Sequence, residues 1–158
     1  MKKSSKALAI MMMVALVASC AGKTSGNDGS VPAQASEATP FDLTGRWDIE
    51  NIVIDDSTYV RPSEAVPGVS QYMTFDGGEY YIHTNCNSIS GSYVQSGDSL
   101  RLGDGAMTEM ACDNMDVEDI LRRVLPNIAT IDVQSDSVVR LNGAAPAECI
   151  LLRRAAGN

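Results

Sequence analysis

Basic side chains are scarce in this sequence: twelve lysines and arginines stand against twenty aspartates and glutamates over 158 residues. With no cluster of cations to release counterions from a phosphate backbone, nucleic-acid binding is excluded as a function class, and the acidic surface reads as a solvated one. Histidine is scarcer still, since His83 stands alone. It lies three residues before Cys86, which in a strand puts the two on opposite faces, and a zinc site needs three or four ligands that the chain does not group. No phosphate loop, serine elbow or dinucleotide fingerprint occurs. The carboxylate-rich stretches Asp55-Asp56 and Asp113 to Asp119 lack the glycine and spacing of a calcium loop. These absences leave no catalytic set, no metal set and no cofactor, and the expectation is a protein that is not an enzyme.

What is present begins at the amino terminus. Lys2, Lys3 and Lys6 precede an apolar stretch from Ala7 to Ala18, the layout of a secretory signal peptide. The stretch is too short to cross a hydrocarbon core, which takes about 20 helical residues, and no second apolar span follows. Val17-Ala18-Ser19-Cys20 resembles the bacterial lipobox, in which the cysteine sulfur receives diacylglycerol. That resemblance implies cleavage before Cys20 and lipidation of Cys20, which gives an address in the cell envelope with a tether of lipid alone; the outer membrane, facing the periplasm or the cell surface, is the expected one. Removing Lys2, Lys3 and Lys6 takes three of the twelve basic side chains and leaves nine against twenty acidic ones. Residues 20–40, rich in Gly, Ser, Ala, Thr and Pro, cannot bury enough surface to fold and read as a flexible linker.

The remaining length has room for one domain. Arg46-Trp47-Asp48-Ile49-Glu50 alternates with period two, so Trp47 and Ile49 share the buried face of a strand continuing toward Ile54. A loop containing Pro62 and Pro67 follows. Tyr72 to Phe75 and Tyr80 to His83 flank Asp76-Gly77-Gly78-Glu79, a hairpin signal. Ile89 to Val94 and Leu100 to Leu102, around Ser96-Gly97-Asp98, form a second hairpin. Val117, Ile120, Leu121, Val124 and Leu125 recur at helical spacing; Asp116 is the expected cap, Glu118 and Asp119 complement the positive end of the dipole, and Pro126 ends the helix. Three further strands are expected at Thr130 to Val133, Val138 to Leu141 and Cys149 to Leu152. The fold class is therefore α+β, a small antiparallel barrel-like β-sheet with one main α-helix, preceded by the lipoprotein signal peptide and flexible linker.

Leu43-Thr44-Gly45-Arg46-Trp47, Asn85-Cys86-Asn87 followed by Ser90-Gly91-Ser92-Tyr93, and Met107-Thr108-Glu109-Met110-Ala111-Cys112 before the helix resemble the META domain, the family of the HslJ-like heat-inducible bacterial lipoproteins. The resemblance covers residues 41–154; Thr84-Asn85 stands where the family usually shows glycine. It implies the same α+β fold, an association with heat or antibiotic stress at the envelope, and no catalytic set to transfer. Cys86 and Cys112 occupy the two motif positions. In an oxidising compartment they are expected to pair, against the alternative of two buried thiols, and Cys149 is left as a free strand-buried thiol. A competing reading takes Met107, Met110, Cys112 and Met115 as soft donors for Cu(I), making the protein a metal handler or a thiol-active one. The preferred reading is a non-catalytic module that binds an unidentified envelope protein or an apolar ligand, with the membrane as its other partner.

Overall fold

The computed structural model describes residues 41–156. The signal peptide, Cys20 and the linker lie outside the described residues. Ten strands form one antiparallel sheet: β1 (Gly45–Val53), β2 (Tyr59–Val60), β3 (Tyr72–Asp76), β4 (Glu79–His83), β5 (Ser88–Ser96), β6 (Ser99–Leu102), β7 (Ala106–Met107), β8 (Thr130–Ser135), β9 (Val138–Asn142) and β10 (Cys149–Arg154). The short helix α1 (Pro62–Ala65) follows β2, and the main helix α2 (Asp116–Val124) precedes β8, running into a 3-10 turn at Leu125–Asn127.

The order β10-β9-β8-β6-β5-β4-β3-β1 is closed on itself by pairing of β1 with β10, so the sheet runs in a ring to which β2 and β7 attach. This is the α+β arrangement expected from the sequence. Closure matters because an open sheet leaves a row of unpaired backbone groups at each edge. The contacts that close it are long: Trp47 pairs with Arg154 and Ile52 with Ile150.

Local sequence accounts for most of the elements. At the β3–β4 turn Gly77 and Gly78 have φ of 56° and 85°, the two positive values that a tight hairpin with right-handed strand twist needs. In β1 the buried positions are Trp47, Ile49 and Ile52, and the step of three is accommodated by a register shift between Ile49 and Asn51 opposite β10. The extra residue keeps Ile52 on the core face, where strict alternation would have turned it outward. The helical stripe is buried as expected, with Val117, Ile120, Leu121 and Val124 in the core and α2 packed against β1 and β2. Each such side chain contributes about 1.5 to 3 kcal/mol of burial free energy.

Two expectations are corrected and one is extended. Asp116 does not cap α2: it is the first helical residue, Met115 holds the cap position, and Asn114 Oδ1 accepts from the Asp116 N–H at 3.1 Å. An Asn two residues upstream does locally what the Asp was expected to do. Glu118 stands in the first turn at the positive end of the dipole as expected, and it is wholly buried there. The segment around Pro62 contains β2 and α1; Pro62 opens the helix because its fixed φ suits the first turn and its missing N–H costs nothing there.

The inside of the ring is solid. Leu43, Trp47, Met73, Phe75, Ile82, Leu100, Leu141, Ile150 and Leu152 fill it with essentially no exposed surface. Trp47 satisfies its indole N–H on the Leu43 carbonyl at 2.8 Å.

Candidate functional site

Two neighbouring features draw on the motif residues, and the first is a knot that fixes the start of α2. Asn87 N–H is 2.9 Å from Thr84 Oγ1 and Thr84 N–H is 3.0 Å from the Asn87 carbonyl, which folds Thr84-Asn85-Cys86-Asn87 into a closed turn. Asn87 then holds the segment leading to the helix: its Oδ1 accepts from Thr108 Oγ1 at 2.9 Å and from the Met110 N–H at 2.8 Å, and its Nδ2 donates to the Met110 carbonyl at 3.0 Å. A disulfide joins Cys86 to Cys112 across the same two segments, with the Cα atoms 6.1 Å apart. Asn85 Nδ2 donates to the Asn114 carbonyl, and Asn114 Nδ2 to Ala65 of α1. From α2, Glu118 reaches under the turn, where Oε1 accepts from Thr84 Oγ1 and from the Asn87 N–H; its Oε2 is buried without a partner among the described residues.

The motif is therefore a structural clasp. Cys112 is spent in the disulfide, Met110 is exposed, Met115 sits at the cap position of α2 and Met107 lies in β7, so the four soft atoms proposed for Cu(I) include no free thiolate. His83 ends β4 with its ring 5.2 Å from that of Tyr72, and Cys86 beside it carries no thiol to activate. Cys149 is a buried free thiol in β10. Among the described residues no group of three or more His, Cys, Asp or Glu side chains is arranged to hold a metal.

The second feature is an open cleft of about 410 Å³ between the β6–β7 side of the sheet and the end of α2. Its apolar lining is Ile89, Leu102, Met107, Leu125 and Pro126, with Arg122 from the helix on one side and Gly103-Asp104-Gly105 on the other. Tyr80 stands at its base, donating its hydroxyl to the Gly103 carbonyl at 3.3 Å. Burial and then the nearby Asp104 carboxylate raise the Tyr80 pKa above its ordinary value, so the phenol stays protonated and able to donate. Arg122 makes no ion pair among the described residues, and neither do Arg101, Arg123, Arg140 and Arg154; of these, Arg122 is the one that lines this cleft. A second cleft of about 630 Å³ adjoins it, sharing Leu102, Gly103 and Pro126.

Sequence reasoning did not find this cleft. Its walls come from segments distant in the chain, from Tyr80 to Pro126. Glu118 left a readable sign, because it stands three residues before Leu121 and seven before Leu125 and so falls within the apolar arc of the helix.

No curated protein matches the chain. Among solved structures, a protein from Burkholderia xenovorans determined by NMR is 19% identical, with a TM-score of 0.58 over 86% of this chain and 99% of that one. A DUF4847 family protein from Bacteroides vulgatus is 13% identical, with a TM-score of 0.49 over 73% and 96%. The first shares the fold, and at that identity nothing more. The META domain profile matches residues 41–156, all of the ring together with its clasp, and the chain belongs to the META domain family.

Proposed function

We propose that this chain is a lipid-anchored envelope protein whose META domain is a non-catalytic binding module serving the cell under stress, and that it takes its partner in the cleft between α2 and the β6–β7 side of the sheet. The observation that carries the reading is the contrast between the two kinds of space in the domain. The interior is filled by large side chains, which argues against carriage of an enclosed apolar ligand; the cleft is open, apolar along its floor, and edged by an arginine without an acidic partner. Clefts of this size with apolar walls and a few placed polar groups are the usual form of small-ligand sites. The anchor rests on the sequence from Lys2 to Cys20, and multiple acyl chains on one cysteine give stable attachment at about 0.8 kcal/mol per buried methylene.

The test is complementation of a deletion strain under heat stress with the lipidated protein carrying Arg122→Glu or Met107→Asp, with melting temperature and membrane retention measured alongside. Loss of protection with folding and anchoring intact supports the reading. Full protection by both variants removes the cleft from it. Intact-mass measurement of the purified protein tests the anchor separately: an unmodified Cys20, or a retained leader, sinks that half.

A further inference from the structure

The cleft has one wall of unusual chemistry, because β6 and β7 are an interrupted continuation of one strand along β5. Tyr93 pairs with Leu102 and Ile89 with Met107, with Gly103 to Gly105 bulging between them. Gly103 N–H reaches the Ser92 carbonyl at 2.8 Å and Thr108 N–H the Ser88 carbonyl at 3.0 Å. In an antiparallel ladder hydrogen-bonded and non-hydrogen-bonded pairs alternate, so Leu102 and Met107, one position inside each of those bonds, turn their own N–H and C=O groups away from β5. On that side β6 meets β8 at Ser99 and Thr130 alone, with Leu100 N–H on the Ala129 carbonyl as the last bond. Past that point the ring has a seam. Roughly 15 Å of chain from Leu102 to Met107, strand at its two ends and irregular from Gly103 to Gly105, faces α2 across the cleft instead of a neighbouring strand.

We propose that this seam is a peptide-binding groove: an extended segment of a partner protein adds as a strand along the edge from Leu102 to Met107, between the sheet and α2, with an acidic side chain set against Arg122. The inference rests on the cleft reading above and names its occupant. Backbone groups at a strand edge are matched by an extended backbone, and a groove between an edge strand and a helix supplies side-chain pockets for alternate residues of the added strand. Ile89, Met107 and Leu125 take the inward apolar residues. Charge selects the outward one. Arg122 is one of five described arginines without an ion pair and the one that lines this cleft, so a carboxylate on the guest meets a cation that no acid of the chain already holds. Asp104, on the opposite rim, disfavours a second acid there and so helps fix which way the segment runs.

The experiment is selection from a randomised peptide library against the full mature protein, followed by amide NMR of the complex with the best peptide. Expected are sequences alternating apolar residues with Asp or Glu, slowed exchange at the Leu102 and Met107 amides, at least tenfold weaker binding to Arg122→Glu, and at least tenfold loss when alternate amides of the peptide are N-methylated. Peptides that bind in the cleft yet tolerate N-methylation overturn strand addition and leave the cleft reading standing. Binders whose footprint lies elsewhere overturn both. A library that returns no binder, or laurate shifting those amides where no peptide does, overturns the peptide groove.

Discussion

The phenol ring of Tyr80 in β4 lies against Gly91, its cross-strand partner in β5, so closely that a Cβ on Gly91 would stand 2.8 Å from a ring carbon. The same ring's hydroxyl would lie 2.5 Å from a Cβ on Gly105. Two glycines thus make the space in which one tyrosine supports the floor of the cleft. Gly91→Ala is expected to displace that ring and destabilise the domain by about 1 to 3 kcal/mol, the range for overpacking a filled site. Denaturant unfolding measures it, and an unchanged midpoint would mean the ring moves aside freely.

Because burial and Asp104 both raise the Tyr80 pKa, Tyr80 also gives the domain an alkaline limit. A tyrosine whose folded pKa lies above its unfolded value of about 10 contributes stability that is complete below that pH and is lost as pH rises through the folded value. Asp104→Asn removes the secondary cause and leaves the larger one, burial. The absorbance titration of Tyr80, isolated by difference against Tyr80→Phe, is therefore expected to move part of the way down toward the ordinary range. No movement would show that Asp104 is screened from the phenol.

The disulfide closes a separation of 26 residues and holds the segment before α2 against the Thr84 to Asn87 turn. On the chain-entropy account a loop of that length stabilises the folded state by about 3 to 4 kcal/mol. The double change Cys86→Ser and Cys112→Ser is expected to lose about that much while leaving β1 to β6 intact, read by urea unfolding and by hydrogen exchange. Greatest loss of protection should fall between Met107 and Val117. Uniform loss throughout would show that the clasp is part of the folding core.

How much of this was legible beforehand divides by the range of the interactions. The two hairpins and α2 are written in neighbouring residues: glycines at turns, period two in Tyr72 to Phe75, and helical spacing from Val117 to Leu125. The β1 irregularity was half visible, since Ile49 to Ile52 breaks alternation, but which side bulges depends on β10, a hundred residues away. The cleft was invisible for the same reason. Periodicity along β6 and β8 says that each is a strand; it does not say that they meet at Ser99 and Thr130 and then separate. The disulfide came from motif positions supplied by the family resemblance. The polar partners of that clasp, Thr84, Asn87 and Glu118, needed three-dimensional placement.

Glu118 and Thr84 offer the sharpest test of that placement. A carboxyl group buried at 0% exposure costs several kcal/mol unless its oxygens are served, and here Oε1 is served by the Thr84 hydroxyl and the Asn87 N–H while Oε2 is not served by protein. Thr84→Val keeps the shape of the side chain, removes the hydroxyl, and also strips the Asn87 N–H of its shorter bond. It is expected to cost about 2 to 4 kcal/mol, since a buried acid and a buried donor both lose a partner. Glu118→Gln retains an acceptor for Thr84 and should cost less than half as much. Adding Glu118→Met to Thr84→Val removes the buried carboxyl group with its unserved oxygen but takes the last side-chain acceptor from the Asn87 N–H, so recovery should stop short by the ~1 to 3 kcal/mol of one unserved buried donor. Unfolding free energies of the four proteins, wild type included, form the comparison. Equal costs for Thr84→Val and Glu118→Gln would show that the hydroxyl is not what stabilises the buried acid.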